Sequence, residues 1–285
     1  MPALIEHRLR LGRRDVTLLE GPAGWGECSP LPGYPCDPAA ARRAAVEAAV
    51  EGFPTARRGD VAVNALVSDI GFDPVALVGF DTVKVKMRVP TDVELVARVR
   101  DAVGPRVALR VDANAAWDVD TAVAIAGRLA LLDIELLEQP VASLEELAEV
   151  RRRCSVPIAA DESVRSIDDA RNLARLGAAD VVVLKVQPLG GVRAALVIAE
   201  ASGVPAIPTS MMETSVGLAA GLALACALPE VPFACGLATA SLLPADVTRE
   251  PLVPRGGRLS TRLVVPDPEL LARYSVAPSS QVVSS

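Results

Sequence analysis

VKVK (83–86), VALRVD (107–112), IELLE (134–138), PIAADE (157–162) and VVVLK (181–185) are five short apolar runs, and each ends on a charged residue. Measured between Lys86, Asp112, Glu138, Asp161 and Lys185, the intervals are 26, 26, 23 and 24 residues. An interval of that size holds one strand, one helix and two loops, so the stretch reads as consecutive β/α units of a parallel sheet. One such charge alone would mark only the point where a strand leaves the core and meets water. Three acids in a row between lysines, all in phase, instead place ionisable groups at one end of a sheet. In a closed β/α barrel those strand ends converge on one mouth, where catalytic groups gather. Carboxylates brought together there repel one another unless a cation lies between them. Oxygen ligands alone select a hard ion such as Mg²⁺, with Mn²⁺ able to substitute. Asp112, Glu138 and Asp161 are therefore the expected metal ligands. Glu162, one residue further on, is expected to point away and stays outside that set.

Working outward, a first strand is expected at 61–67, followed by a short, eroded crossover, and further strands at 204–208 and 233–236, which makes eight. Helices are expected near 91–103, 118–131, 143–153, 166–176, 190–202 and 214–227, with Asp118, Ser143, Ser166 and Thr214 as N-caps. Before the repeats, residues 1–27 alternate apolar and polar positions around glycine turns, which predicts two or three antiparallel strands. Asp37 caps a predicted Ala-rich helix at 38–50. The loop GWGECSPLPGY (24–34) reads as a rigid connector or as a lid whose Trp25 and Tyr34 shield the mouth from water. The stretch 256–266 is expected to be a strand returning to the cap, and the last ten residues to be disordered. The predicted fold is α/β: a modified (β/α)7β TIM-type barrel at 59–246 with a small α+β capping domain at 1–58, joined by 247–285.

At 285 residues the chain is long enough for such a barrel and one small addition. A formal charge of −6 and the lack of any basic tract exclude nucleic acid and an anionic membrane surface as expected partners. Charges and prolines break every apolar run before it reaches membrane-spanning length, and no signal-peptide pattern opens the chain. A cytoplasmic enzyme with a small-molecule carboxylate substrate is expected. The five cysteines are odd in number and lack metal-ligand spacing, so they read as reduced thiols.

Lys84 and Lys86 are two apart on one strand and so share a face, into the barrel. A free lysine is a poor base at neutral pH, but a second ammonium and a divalent cation close by lower the pKa of such a group. Lys86, nearer the mouth, is the expected proton acceptor. Lys185, at the end of the sixth strand, faces the same substrate from across the barrel. This set suits abstraction of a proton next to a carboxylate, because a metal ion stabilises the enediolate that forms. The only histidine, His7, falls in the cap and supplies no nucleophilic triad.

The ordered set Lys84-Val85-Lys86, Val111-Asp112-Ala113-Asn114, Glu138-Gln139-Pro140, Asp161-Glu162-Ser163 and Lys185 resembles the enolase superfamily, in the muconate-lactonizing branch with lysines on the second and sixth strands. Within it, GWGECSPLPGY, SMMETSVG (210–217) and Gly236-Leu237-Ala238-Thr239 look like the o-succinylbenzoate synthase family of menaquinone biosynthesis. The resemblance implies a Mg²⁺-dependent syn dehydration in which Lys86 removes the α-proton and returns it to the leaving hydroxyl, while Lys185 stabilises the enediolate. It also implies substrate contacts from Lys84, Asn114, Ser210, Met212, Gly236 and Leu237. Two other readings stand beside it: an N-succinylamino acid racemase, which shares fold, metal site and lysines, and a catalytically inactive barrel that binds a small acid and has no need of them.

Overall fold

The computed structural model describes residues 3–276 and 281–284 of the chain. At its centre is a curled parallel sheet in the order β11-β10-β9-β8-β7-β6-β5, made of β5 (Ala65–Val67), β6 (Thr82–Lys86), β7 (Ala108–Asp112), β8 (Ile134–Glu138), β9 (Ile158–Ala160), β10 (Val181–Lys185) and β11 (Ala206–Thr209). Val83, Val85, Leu109, Val111, Leu137 and Leu184 are fully buried against the surrounding helices. Each such side chain contributes roughly 1.5–3 kcal/mol when buried. The register is what aligns the charges at the strand ends. Lys86 pairs with Asp112, and Asp112 with Glu138, so the strand ends lie level.

The ring closes with a two-residue piece rather than the strand expected at 233–236. Cys235 N–H donates to the Ala62 carbonyl at 2.8 Å, Asn64 N–H to the Cys235 carbonyl at 3.0 Å, and Gly236 N–H to the Pro208 carbonyl at 3.0 Å. A Cβ at Gly236 would stand 2.7 Å from Thr209 Cγ2, so only glycine lets the last strand approach that closely. The expected first strand at 61–67 is likewise split. Its first half, β4 (Asp60–Ala62), pairs antiparallel with β12 (Arg258–Ser260), and only β5 belongs to the barrel. The first crossover holds a single 3-10 turn, Pro74–Leu77, in place of a helix.

The other crossovers are helical: α2 (Val93–Val103), α3 (Val119–Ala130), α4 (Leu144–Arg153), α5 (Ile167–Leu176), the single turn α6 (Val186–Leu189) with α7 (Val192–Ser202), and α8 (Ser215–Ala227). The four predicted caps accept backbone N–H groups: Asp118 from Thr121, Ser143 from Glu146, Ser166 from Asp169 and Thr214 from Val216. Ser143 and Glu146 form a reciprocal capping box, which satisfies two donors the helix start would otherwise leave open.

Above the barrel, β1 (Ala3–Leu11), β2 (Arg14–Gly21) and β3 (Gly24–Cys28) form an antiparallel sheet against α1 (Pro38–Val50), which Asp37 caps. A fourth strand, β13 (Gln281–Ser284), pairs with β1. Part of the tail expected to be disordered is thus a strand, while 277–280 and 285 lie outside the described residues. The 256–266 segment does not return to this sheet, because its strand β12 pairs with β4. The helix α9 (Pro268–Tyr274) packs on β1 instead. Trp25 belongs to β3 and packs beside His7, ring centroids 5.1 Å apart, so it serves the cap and not a lid. Among the described residues no helix is long and apolar enough to cross a membrane.

Candidate active site at the barrel mouth

Six charged side chains meet where the register levels the strand ends. Lys84 Nζ donates to both oxygens of Glu138, at 2.7 and 2.8 Å, and lies 2.7 Å from Asp112 Oδ2. Lys86 Nζ donates to the same Asp112 oxygen at 2.6 Å and to Asn114 Oδ1 at 2.9 Å. Lys185 Nζ donates to Asp161 Oδ2. Since β6 and β10 are four positions apart in an eight-membered ring, Lys86 and Lys185 stand on opposite sides of the mouth.

Burial alone would lower the pKa of the Lys84 and Lys185 ammoniums, but the carboxylates beside them, Asp112 for Lys84 and Asp161 for Lys185 foremost, raise both. Burial also opposes ionisation of Asp112, yet Lys84 and then Lys86 outweigh it and hold that carboxyl well below the usual range. Glu138 goes the other way: burial, followed by the charge of Asp112, pushes it up to about 8 in spite of Lys84.

The backbone leaves the strand ends in strained conformations that few side chains adopt. Asn114 (φ 46°), Ala115 (58°), Gln139 (38°) and Met212 (61°) all lie in the left-handed region, at a cost of order 1–3 kcal/mol each. Gln139 repays this by joining two strands. Its Oε1 accepts from Asp161 N–H at 2.7 Å and from Ser163 Oγ at 3.0 Å, and its amide donates to the Val141 carbonyl at 2.7 Å. The fully buried Gln139 therefore sets the chain direction at Asp161. In the sequence it was visible only as an amide between Glu138 and Pro140. Glu162 does not point away as its offset suggested. Its Oε1 accepts from Asn114 Nδ2 at 2.9 Å, and its Oε2 is buried with no partner among the described residues. β9 stops at Ala160, so strand alternation no longer governs the next residues.

The lysines, Asn114 and Glu162 line a cavity of about 790 Å³, within the usual range for small ligands, while Asp112, Glu138 and Asp161 are buried behind the lysines and form no part of its wall. Lys84, Lys86, Asn114, Glu162, Lys185, Ser210, Met212 and Gly236 all face it, as do Leu31, Tyr34, Leu66 and Arg88. Leu237 does not. Just past the two-residue closing piece, it is fully buried near Gly221 of α8. Only the second half of the 24–34 loop acts as a cover. Tyr34 reaches down from it, its hydroxyl donating to Asp161 Oδ1 at 2.9 Å and its ring 4.7 Å from Lys185 Nζ.

Among the described residues, no three acidic, histidine or cysteine side chains stand arranged as a formed cation site. The acids are closed on lysine ammoniums instead. The donor set nevertheless fits a hard dication. All ligands would be oxygens, and Asp112 and Glu138 already converge on one cation, the Lys84 ammonium. The buried Oε2 of Glu162, without a partner among the described residues, is a further oxygen open to a cation.

Comparison with known proteins adds a second line of observation. The family profile "Enolase C-terminal domain-like" matches residues 73–267, and "Enolase N-terminal domain-like" matches 6–49. The o-succinylbenzoate synthase of Thermobifida fusca is 50% identical over 277 residues, covering 94% of this chain and 87% of that protein. That of Mycobacterium marinum is 46% identical over 280 residues, with coverage of 93% and 84%. Among solved structures, muconate cycloisomerase from Pseudomonas fluorescens superposes with a TM-score of 0.81 at 24% identity, covering 96% of this chain and 98% of that one, a likeness of fold. An isomerase from Streptomyces coelicolor A3(2) superposes with a TM-score of 0.78 at 26% identity and coverage of 95% and 97%.

Proposed function

The chain belongs to the enolase superfamily and, within it, to the o-succinylbenzoate synthase family, and from that premise we propose that it dehydrates 2-succinyl-6-hydroxy-2,4-cyclohexadiene-1-carboxylate to o-succinylbenzoate, the menaquinone-pathway step, as a cytoplasmic hydro-lyase. Members of the superfamily generally use Mg²⁺, and in this reading Asp112, Glu138 and Asp161 hold it. The single observation that supports the reading most is the opposition of Lys86 and Lys185 across one cavity, each bonded to a carboxylate of that trio.

In the proposed reaction the C–H bond next to the substrate carboxylate breaks, its proton goes to Lys86, and its electron pair moves into the carboxylate and ring. The C–O bond to the ring hydroxyl then breaks, and Lys86 returns the same proton to the departing hydroxyl, so that water leaves and the ring becomes aromatic. One group can serve both steps only if proton and hydroxyl leave from one face. Mg²⁺, when bound, supplies positive charge that stabilises the enediolate. Lys185 adds charge from the opposite face, and Tyr34, Leu31 and Leu66 keep water from the ring. Ser210, Met212, Asn114 and Gly236 shape the wall around the substrate. The organisation into a cap (1–58, joined from the last segment by α9 and β13) over a barrel (59–246, against whose β4 the strand β12 pairs) is part of the proposal, since it brings Tyr34 above the mouth.

Assaying dehydration of the cyclohexadiene beside racemisation of N-succinyl amino acids tests the reading. Mg²⁺-dependent dehydration that dominates supports it. Racemisation alone would move the chain to the second reading, and neither activity with Mg²⁺ supplied would leave only the acid-binding barrel.

A further inference from the structure

The loop 29–36 is held at its ends, and between them one side chain makes a hydrogen bond to the barrel among the described residues. At the near end Ser29 N–H donates to Gln187 Oε1 at 2.8 Å, and the Arg14 guanidinium donates to the Ser29 and Pro30 carbonyls at 2.5 and 3.1 Å. At the far end Asp37 caps α1. Among the described residues, the only polar contact from 31–35 to the barrel is Tyr34 Oη to Asp161 Oδ1, at 2.9 Å. The other oxygen of Asp161 accepts from Lys185, and the ammonium of Lys185 lies 4.7 Å from the Tyr34 ring centre. Tyrosine thus meets both members of the Asp161–Lys185 pair, one through its hydroxyl and one through its face. Two donors from different parts of the molecule, one on each oxygen, fix the plane of that carboxylate. A partner that orients a ligand in this way commonly decides how well the ligand binds.

Resting on the functional reading above, we propose that Tyr34 is a positioning residue that couples the cap loop to cation binding: its hydroxyl holds Asp161 in the orientation a divalent cation needs, and its ring covers Lys185. The coupling is reciprocal by necessity. If closing the loop improves the ligand, binding the cation closes the loop. Phenylalanine at this position keeps the ring over Lys185 and removes only the donor, while leucine removes both.

The test measures Mg²⁺ binding to the full chain and to Tyr34→Phe and Tyr34→Leu by titration calorimetry, with hydrogen exchange of residues 29–36 followed with and without Mg²⁺. The wild type should bind Mg²⁺ and protect the loop amides on doing so. Tyr34→Phe should bind about tenfold or more weakly and lose the Mg²⁺-dependent protection, with its unfolding midpoint without Mg²⁺ lowered by no more than the loss of one hydrogen bond. Tyr34→Leu should show the same weakening and a further fall in kcat, from the uncovered Lys185. A wild-type Kd in Tyr34→Phe overturns this proposal alone. Failure of the wild type to bind Mg²⁺ overturns the functional reading and this proposal with it.

Discussion

Lys84 and Glu138 share a two-pronged contact, the ammonium lying 2.7 Å from one carboxylate oxygen and 2.8 Å from the other, with both side chains nearly excluded from water. Because Asp112 also reaches that nitrogen at 2.7 Å, removing the ammonium leaves the buried Glu138 without a partner among the described residues and Asp112 with Lys86 alone. Lys84→Met should therefore cost roughly 3–5 kcal/mol of stability at neutral pH, the usual loss when one partner of a buried pair is deleted. Mg²⁺ should recover part of it, since a bound ion stabilises the folded state by mass action. Urea unfolding with and without Mg²⁺ checks this. A variant that unfolds at the wild-type midpoint would show that the pair carries no such weight.

Gly26 packs β3 onto α1 so closely that an added Cβ would stand 1.9 Å from the Ala45 carbonyl oxygen. The obstacle is backbone and cannot swing aside. Gly26→Ala should thus destabilise by about 3 kcal/mol or more, at or beyond the upper end for overpacking. Gly59→Ala, with open space around it and no positive φ, should be near neutral. Thermal melts of the two variants side by side give the comparison.

Glu27 is a buried acid at the seam between cap and barrel. Its oxygens accept from Ser29 Oγ at 2.6 Å, Thr214 Oγ1 at 2.5 Å, Thr214 N–H at 3.2 Å and Gly217 N–H at 2.9 Å. Burial, only partly offset by these bonds and reinforced by nearby Glu213, moves its carboxyl from the ordinary 4.5 up to about 7. Between those values the folded chain holds a proton that the unfolded chain has lost. Its contribution to stability is complete below 4.5 and disappears as pH rises through 7, by at most about 1.4 kcal/mol per pH unit. Glu27→Gln should flatten that slope. It should also lower stability by about 1–3 kcal/mol, because its NH₂ must face one of two backbone donors. Unfolding free energies from pH 5 to 8 for both proteins decide the matter.

The strand ends were legible because a parallel register turns equal spacing in sequence into equal height in space, and Lys86, Asp112 and Glu138 pair directly. The helix starts were legible because Asp118, Ser143, Ser166 and Thr214 satisfy donors that any helix exposes. What escaped were contacts with no local period. Gly26 looked like loop glycine, since nothing in the sequence says that Ala45 lies against it. Leu237, a substrate contact by resemblance, is instead fully buried near Gly221 of α8, a packing contact that no local pattern announces. The composition of 24–34 predicts Tyr34 over the mouth, but its bond to Asp161 spans 127 residues, beyond the reach of any pattern.

Lys86 is the residue whose loss should matter most to turnover. Lys86→Ala should abolish dehydration and α-proton exchange, while the fold stays intact, since its side chain is 25% exposed and the more deeply buried Lys84 still neutralises Asp112. Lys185→Arg keeps a charge next to Asp161 but gives a group that cannot readily lose its proton. It should retain some dehydration, which needs only charge on that face, and lose any racemisation, which needs a proton partner on each. Exchange of the α-proton in deuterated water separates the roles. Native-rate exchange in Lys86→Ala would place the base on β10 instead of β6, and equal loss of both activities in Lys185→Arg would make Lys185 more than a charge.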